Sequence, residues 1–240
     1  MNDFSELKKI EIDYHIKQWD SPYRSTIFFY EFVKESLKKS KKVIDLGCGI
    51  GSSTYYISNF HAKCEFIGID YSKKYINIGN DIIKSKNINN LELVEDDCFN
   101  LNVYDKINGV ISLQTLSFLP EFERPLKEVF VKLNPEWIAI SSLFYEGDIT
   151  IKSKIIQKEK NPTNPTLCYN TYSIPSVDKY CRKNGYKIHH YTPFEIDIDI
   201  DKPDDIDQMN TYTIKTFDNA RLQISGPLLM NWYFILIKKI

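Results

Sequence analysis

Asp45, Gly47, Gly49 and Gly51 fall at alternate positions in Lys42-Val43-Ile44-Asp45-Leu46-Gly47-Cys48-Gly49-Ile50-Gly51-Ser52-Ser53. Glycines at that spacing forbid a regular strand or helix, and they leave no side chains where a ligand could approach the backbone. The apolar run before them reads as a buried parallel strand. Ser52 and Ser53 read as the opening of the next helix, since serine is a preferred N-cap. Strand, glycine turn and helix N-terminus make a nucleotide site at the carboxyl edge of a parallel sheet. A turn that binds nothing and a dinucleotide site are the competing readings. The dinucleotide fingerprint G-x-G-x-x-G would place its third glycine where Ser52 stands. Asp45, two residues before the first glycine, suits a cationic amino-acid headgroup and repels a pyrophosphate.

Further acids support a ligand. Cys64-Glu65-Phe66-Ile67-Gly68-Ile69-Asp70 is an apolar run ending in an acid. At the tip of the second strand of a βαβ unit, such an acid faces ribose hydroxyls. A third run, Leu91 to Val94, ends in Glu95-Asp96-Asp97-Cys98. Acids thus stand at three consecutive strand tips.

The E/D-x-G-x-G-x-G form resembles motif I of the class I S-adenosylmethionine (SAM) dependent methyltransferases, and the likeness spans roughly residues 40–145. The resemblance implies SAM as cofactor and S-adenosylhomocysteine as product. It implies cofactor contacts from Asp45, Gly47, Cys48, Gly49 and Gly51, with Asp70 on the ribose and Tyr71 against the adenine. Asp97, with Asp96 as alternative, would accept the adenine amino group, and the Cys98 N–H would meet a ring nitrogen. Gln114, after the fourth strand, would bond the cofactor's amino-acid end or the substrate. In the family a segment before motif I often folds over the cofactor. Tyr14, Trp19, Tyr23 and Arg24 are candidates for that cover, with ordinary helix packing as the alternative.

The positioning elements follow from periodicity. Strands are expected over 42–47, 64–69, 90–94, 107–113 and 136–144, and helices over 52–60, 72–86 and 121–132. That alternation predicts a Rossmann-like α/β fold. The expected sheet is seven-stranded and mostly parallel, with helices on both faces and an antiparallel last strand. A helix over 2–19 precedes one that starts at Ser21-Pro22, read as N-cap and first helical position, and runs to Lys39. Residues 145–172 read as an insertion, part helix and part loop, serving as a lid. Ser173 to Gly185 reads as a helix with Gly185 closing it. Strands 187–196 and 228–239 complete the sheet, with a hairpin inserted at 211–226 around Phe217-Asp218-Asn219-Ala220. Glu195 to Asp207, with seven acids against one lysine, reads as a solvated connection. The chain is expected to be a single domain: a helical cap over 1–40, a cofactor core over 40–145, and the two insertions.

Composition narrows the function. The chain has 240 residues, 42% of them hydrophobic, and a net charge of −1, so no global basic field calls for nucleic acid. Five scattered cysteines without a C-x-x-C pair argue against a disulfide framework or a zinc site. The N-terminus has no signal-peptide core and no apolar run reaches membrane-spanning length, so a cytoplasmic protein without membrane partner is expected.

Methyl transfer from a sulfonium needs positioning and exclusion of water more than catalytic groups. Candidates to bind a cationic substrate or take a proton are Glu146 and Asp148, after the fifth strand, and the adjacent His189 and His190. Tyr14, Tyr23, Arg24, Tyr212, Arg221 and Trp232 are candidate substrate contacts. Missing ligand clusters predict that no metal is needed. The N/D/S-P-P-Y/F element of amino-methylating nucleic-acid enzymes is absent after strand four. The expectation is transfer to O or N of a small molecule, such as a sugar, sugar nucleotide, surface-polysaccharide or natural-product precursor. A non-catalytic SAM-binding module, a protein methyltransferase and an NAD-type oxidoreductase are the alternatives. The oligomeric state is not legible.

Overall fold

The computed structural model describes residues 9–155, 167–204 and 210–240, apart from the side chains of 9–11, 14 and 167. The central strands are β1 (Lys42–Leu46), β2 (Glu65–Asp70), β3 (Leu91–Glu95), β4 (Gly109–Leu113) and β5 (Trp137–Tyr145). Two-residue strands follow at β6 (Lys154–Ile155), β7 (Leu167–Cys168) and β8 (Tyr172–Ser173). Then come β9 (Tyr186–Pro193), β10 (Thr211–Lys215), β11 (Arg221–Ser225), β12 (Leu228–Met230) and β13 (Trp232–Lys239). The main sheet has the order β3-β2-β1-β4-β5-β13-β9, with β8 a short parallel extension beside β5. Strands β1 to β5 are parallel, and β13 runs antiparallel to both β5 and β9. The expected seven-stranded mixed sheet is therefore present. The carboxyl ends of β1 to β5 and β9 and the start of β13 lie along one edge.

Helices α1 (Lys9–Lys17), α2 (Arg24–Leu37), α3 (Ser52–Ser58) and α4 (Lys73–Ser85) precede α5 (Glu123–Glu128) and α6 (Ile174–Lys183). Two buried clusters sandwich the sheet. Phe29, Val33, Ile57, Ile76 and Phe234 belong to one, and Leu126, Val129, Val177, Tyr186 and Ile235 to the other. Helices α2 to α4 thus cover one face, and α5 and α6 the other. The apolar run of β5 is buried from Trp137 to Phe144 because both faces are covered.

Several expectations are corrected. The second helix begins at Arg24; Tyr23 is extended, and Ser21 is consumed by a turn that closes α1 through its N–H to Lys17 O. The cap of α3 is Gly51 in the left-handed region, φ 82°, and no serine side chain caps it. Ser52 donates to Gln18, and Ser53 pairs with Thr26 at 2.9 Å, so both tie the glycine loop to the N-terminal helices. The helix expected over 121–132 becomes α5 followed by a π-helical turn, Val129–Leu133, ended by Asn134 at φ 46°. The described part of 145–172 is loop with short strand pairs and no helix, where part helix and part loop was expected; 156–166 lies outside the described residues. The hairpin is a three-stranded sheet, β10-β11-β12. The run 228–239 breaks at Asn231, giving its first three residues to that sheet and the rest to the core. The acidic connection is only partly solvated over its described residues, because Ile196 is buried.

Gly109 has a packing reason. A Cβ there would lie 2.2 Å from the Trp137 ring on the neighbouring strand. Gly109→Ala is expected to cost about 1–3 kcal/mol through overpacking. At this chain length that lowers Tm by roughly 2–4 °C per kcal/mol in a thermal melt.

Candidate functional site

The glycine loop passes from β1 to α3 with Gly47, Gly49 and Gly51 all at positive φ, 78°, 58° and 82°. Its backbone is pinned on both sides. Gly47 N–H and Cys48 N–H donate to Ile69 O at the end of β2, at 2.8 and 3.0 Å. Thr115 Oγ1, after β4, donates to Gly47 O at 3.1 Å. A Cβ at Gly47 would meet Thr115 at 2.3 Å and one at Gly51 would meet Leu93 at 2.9 Å. A Cβ at Gly49 would meet nothing within 4 Å, so that backbone alone faces open space.

Asp70 stands beside that opening. Gly49 N–H donates to its Oδ2 at 2.9 Å and Ser72 N–H to its Oδ1 at 2.8 Å. Each oxygen keeps a lone pair for a further donor. Burial raises the Asp70 pKa above the usual carboxylate range, against the pull of those two N–H groups. Asp45 is 1% exposed, and Thr54 Oγ1 donates to its Oδ2 at 2.5 Å. Its Oδ1 is buried without a hydrogen-bond partner among the described residues. Burial pushes the Asp45 pKa up to about 7; the Thr54 bond opposes this and the charge of Asp70 adds to it. A buried carboxylate with an orphan oxygen fits a cationic partner.

At the tip of β3 the two aspartates have different surroundings. Asp96 accepts from Asp97 N–H at 2.8 Å, Asn102 N–H at 3.1 Å and Tyr104 Oη at 2.7 Å. It is 8% exposed and holds the loop after β3 together. Asp97 is half-buried, and its Oδ1 accepts from Phe99 N–H at 2.8 Å. Burial holds the thiols of Cys48 and Cys98 protonated, the latter up to about 12, so neither is a thiolate nucleophile. Tyr71 is 52% exposed at the end of β2.

A cavity of about 190 Å³ opens at the same sheet edge, lined by Tyr23, Arg24, Ser25 and Gln114, by the alternate residues Phe194, Ile196, Ile198 and Ile200, and by Thr211, Gln223, Met230 and Trp232. Four of the residues singled out from the sequence meet here: Tyr23, Arg24, Gln114 and Trp232. Gln114 holds φ 58°, a left-handed conformation for a non-glycine residue, and donates from Nε2 to Ser25 Oγ at 3.1 Å. Its neighbour Thr115 is bonded to Gly47, so cavity and glycine loop share a wall. The Arg24 guanidinium is paired with Asp197 through two nitrogens.

Other candidates lie elsewhere. Tyr212 has Lys202 over its ring at 6.0 Å, and Arg221 donates to Asp199 at 2.6 Å; neither lines the cavity. The small sheet reaches it through Thr211, Gln223 and Met230 instead. Glu146 accepts from Tyr233 Oη at 3.0 Å, and Asp148 accepts from Ser173 and Ser176 Oγ at the start of α6. His189 is exposed on β9, and His190 stacks on Phe32 with centroids 5.7 Å apart, on a sheet-edge strand away from the cavity. Trp19 is 5% exposed and stacks on Tyr55 of α3, so it belongs to the core. The side chain of Tyr14 lies outside the described residues. Among the described residues, no cluster of His, Cys, Asp or Glu could hold a metal ion, and no helix is long and apolar enough to cross a membrane. Sequence reasoning missed Ser25, Gln223, Met230 and the apolar run 194–200. The alternation of isoleucine with acid in Ile196-Asp197-Ile198-Asp199-Ile200 was their available signal.

Residues 37–202 match the family described as "Methyltransferase domain". Malonyl-[acyl-carrier protein] O-methyltransferase of Bacillus anthracis is 24% identical over 158 residues, covering 64% of this chain and 58% of that protein. (S)-Coclaurine N-methyltransferase of Papaver somniferum is 20% identical over 143 residues, covering 60% of this chain and 39% of that protein. The chain thus spans between 39% and 58% of the length of these curated relatives. The crystal structure of an O-methyltransferase from a trans-AT PKS multienzyme of Brevibacillus brevis, in complex with S-adenosyl-L-homocysteine, superposes with a TM-score of 0.56. It shares 15% identity, covering 80% of this chain and 63% of that one, and it carries the same fold.

Proposed function

We propose, from the premise that this chain belongs to the class I SAM-dependent methyltransferase family, that it methylates O or N of a small molecule held in the cavity beside Gln114. The observation that carries this reading is the shared wall. Thr115 grips the glycine loop while Gln114 lines a cavity closed by Trp232 and Phe194.

SAM supplies an electrophilic methyl on a positively charged sulfur. The residues at hand fit it. Asp70, fixed by two backbone N–H groups, receives the ribose hydroxyls, and Gly49 lets the ligand lie against the loop. Asp97 takes the adenine amino group, because Asp96 is already filled by three donors within the loop. Asp45 neutralises the cationic amino-acid end. Gln114, Ser25 and Trp232 orient the acceptor. Orientation of this kind supplies roughly 7–11 kcal/mol of a bimolecular barrier. With SAM held there, its methyl would pass to the acceptor's lone pair, and the electron pair of the carbon–sulfur bond would stay with sulfur.

No histidine, aspartate or glutamate lines the cavity among the described residues, so the acceptor proton leaves to water. That favours an amine or a phenol over an alkyl hydroxyl, whose proton needs a strong base in place. The test is incubation with methyl-deuterated SAM and separate pools of amines, phenols and sugars, read by mass spectrometry. Labelled amines or phenols are expected. Label in the sugar pool alone would contradict the assignment, and activity lost in excess chelator would contradict the metal-free chemistry.

Asp45 gives a pH signature. An acid raised from 3.8 to about 7 keeps its proton in the folded chain over a range where the unfolded chain has lost it. Its contribution to stability is therefore full below about pH 4 and is lost as pH rises through about 7. A bound ammonium holds the carboxylate ionised. Binding of S-adenosylhomocysteine near pH 6, about one unit below that pKa, is expected to release a proton, and at pH 8.5 none. Calorimetry in buffers of different ionisation heat measures this, and Asp45→Asn should remove it.

A further inference from the structure

The cavity beside Gln114 is selective in three ways that no relative's name assigns. The first is size. About 190 Å³ lies below the roughly 300–1,000 Å³ of ordinary drug-sized ligand sites. A single ring fills it, and a nucleoside diphosphate would extend beyond its walls. The second is charge. Arg24 is the one ionised side chain in the wall among the described residues, and Asp197 neutralises it through a two-nitrogen pair. An anionic acceptor finds no uncommitted cation there, and a cationic one finds no carboxylate in the wall. The rest is mostly apolar: Phe194, Ile196, Ile198, Ile200 and Met230.

The third is a single orphan donor. Trp232 is 7% exposed and lines the cavity, and its indole Nε1–H is buried without a hydrogen-bond partner among the described residues. Indole nitrogen only donates. A buried donor left empty costs about 1–3 kcal/mol, so it is normally filled. Trp137 donates to Ser40 Oγ at 3.1 Å; Trp19 Nε1 is unpartnered like that of Trp232, but Trp19 lies in the core and does not line this cavity. Trp232 stands at the head of β13, opposite Leu143 near the carboxyl end of β5, and so faces the edge where the glycine loop lies. Gln114 and Gln223 add amide groups on neighbouring parts of the wall.

Taking the cavity as the acceptor site, the reading proposed above, we infer that it receives a compact, uncharged, mostly apolar molecule of about one ring. That molecule carries a hydrogen-bond-accepting oxygen or nitrogen, which docks on Trp232 Nε1–H. Trp232 is then a specificity-determining residue, and the donor fixes which edge of the ring turns toward the methyl group.

The test uses the full chain, labelled with nitrogen-15 and saturated with S-adenosylhomocysteine. Three compact neutral probes, acetophenone, cyclohexanone and benzamide, are titrated to millimolar concentration, with uridine diphosphate glucose as the large anionic comparison. The indole N–H resonances of Trp19, Trp137 and Trp232 are followed, the last identified by its loss in Trp232→Phe. At least one neutral probe is expected to move the Trp232 resonance saturably while Trp19 and Trp137 stay in place. Trp232→Phe keeps the ring and removes the donor. It should weaken that probe's binding, read at the Gln114 amide, by roughly 2–12-fold, the range for one neutral hydrogen bond. Three inert neutral probes, or a Trp232 resonance moved by the sugar nucleotide alone, would overturn the inference. So would equal binding in Trp232→Phe. Saturation with S-adenosylhomocysteine is established first in the same sample. Its failure counts against the methyltransferase reading, and normal saturation with an unresponsive Trp232 counts against this inference alone.

Discussion

Gly49→Val should lose SAM affinity by roughly a hundredfold or more, equivalent to about 2.7 kcal/mol. Two costs are separable. Gly49 has φ 58°, where a β-branched residue is strained, at about 1–3 kcal/mol of folding stability. That cost is common to the free and bound protein and appears as a lower Tm. The binding cost is additional. A Cβ at Gly49 meets no atom within 4 Å beyond its chain neighbours, so the added side chain projects into the opening where the ligand is placed. Gly51→Val serves as contrast, because there the new atom meets Leu93 and the damage is to packing. Affinity measured by calorimetry on folded Gly49→Val checks the effect. Unchanged affinity would show that the ligand does not pass over this loop.

Asp70→Asn should weaken SAM by tenfold to several hundredfold. A hydrogen bond to a charged group is worth about 1.5–3 kcal/mol, and the carboxylate is assigned two from the ribose. The asparagine keeps the size but offers one acceptor oxygen, so it cannot serve Gly49, Ser72 and both hydroxyls together. S-adenosylhomocysteine and 2′-deoxyadenosine compounds should therefore differ in the parent protein and converge in the variant. Equal discrimination in both would place the ribose elsewhere.

Much of this fold was legible because its signals are local. Val43 to Leu46 and Trp137 to Phe144 are apolar runs that fit only a sheet covered on both faces. The glycine loop was legible because three positive-φ residues in five positions admit few alternatives. Misread elements were those where one local signal was overridden by a competing local one or by a distant partner. Ser21-Pro22 looks like a helix start, but its backbone is used to end α1. Ser52 looks like a cap, but Gly51 takes that place and Ser52 turns to Gln18. The run 228–239 has one hydrophobic pattern and two pairing partners, β11 and β5, which the pattern does not distinguish. Within the site, the proposed preference for Asp97 over Asp96 rests on the three donors around Asp96, which the sequence does not show. The acceptor wall was the least legible part. Phe194, Gln223 and Trp232 come from three separated segments, and only the antiparallel entry of β13 beside β5 and β9 brings them together.

The measurement that bears most directly on the account is a crystal structure of the complex with S-adenosyl-L-homocysteine. The account predicts both ribose hydroxyls on the Asp70 carboxylate, the ligand backbone against Gly49, and the sulfur facing the cavity between Gln114 and Trp232. A ribose turned away from Asp70, or a sulfur directed away from that cavity, would contradict it.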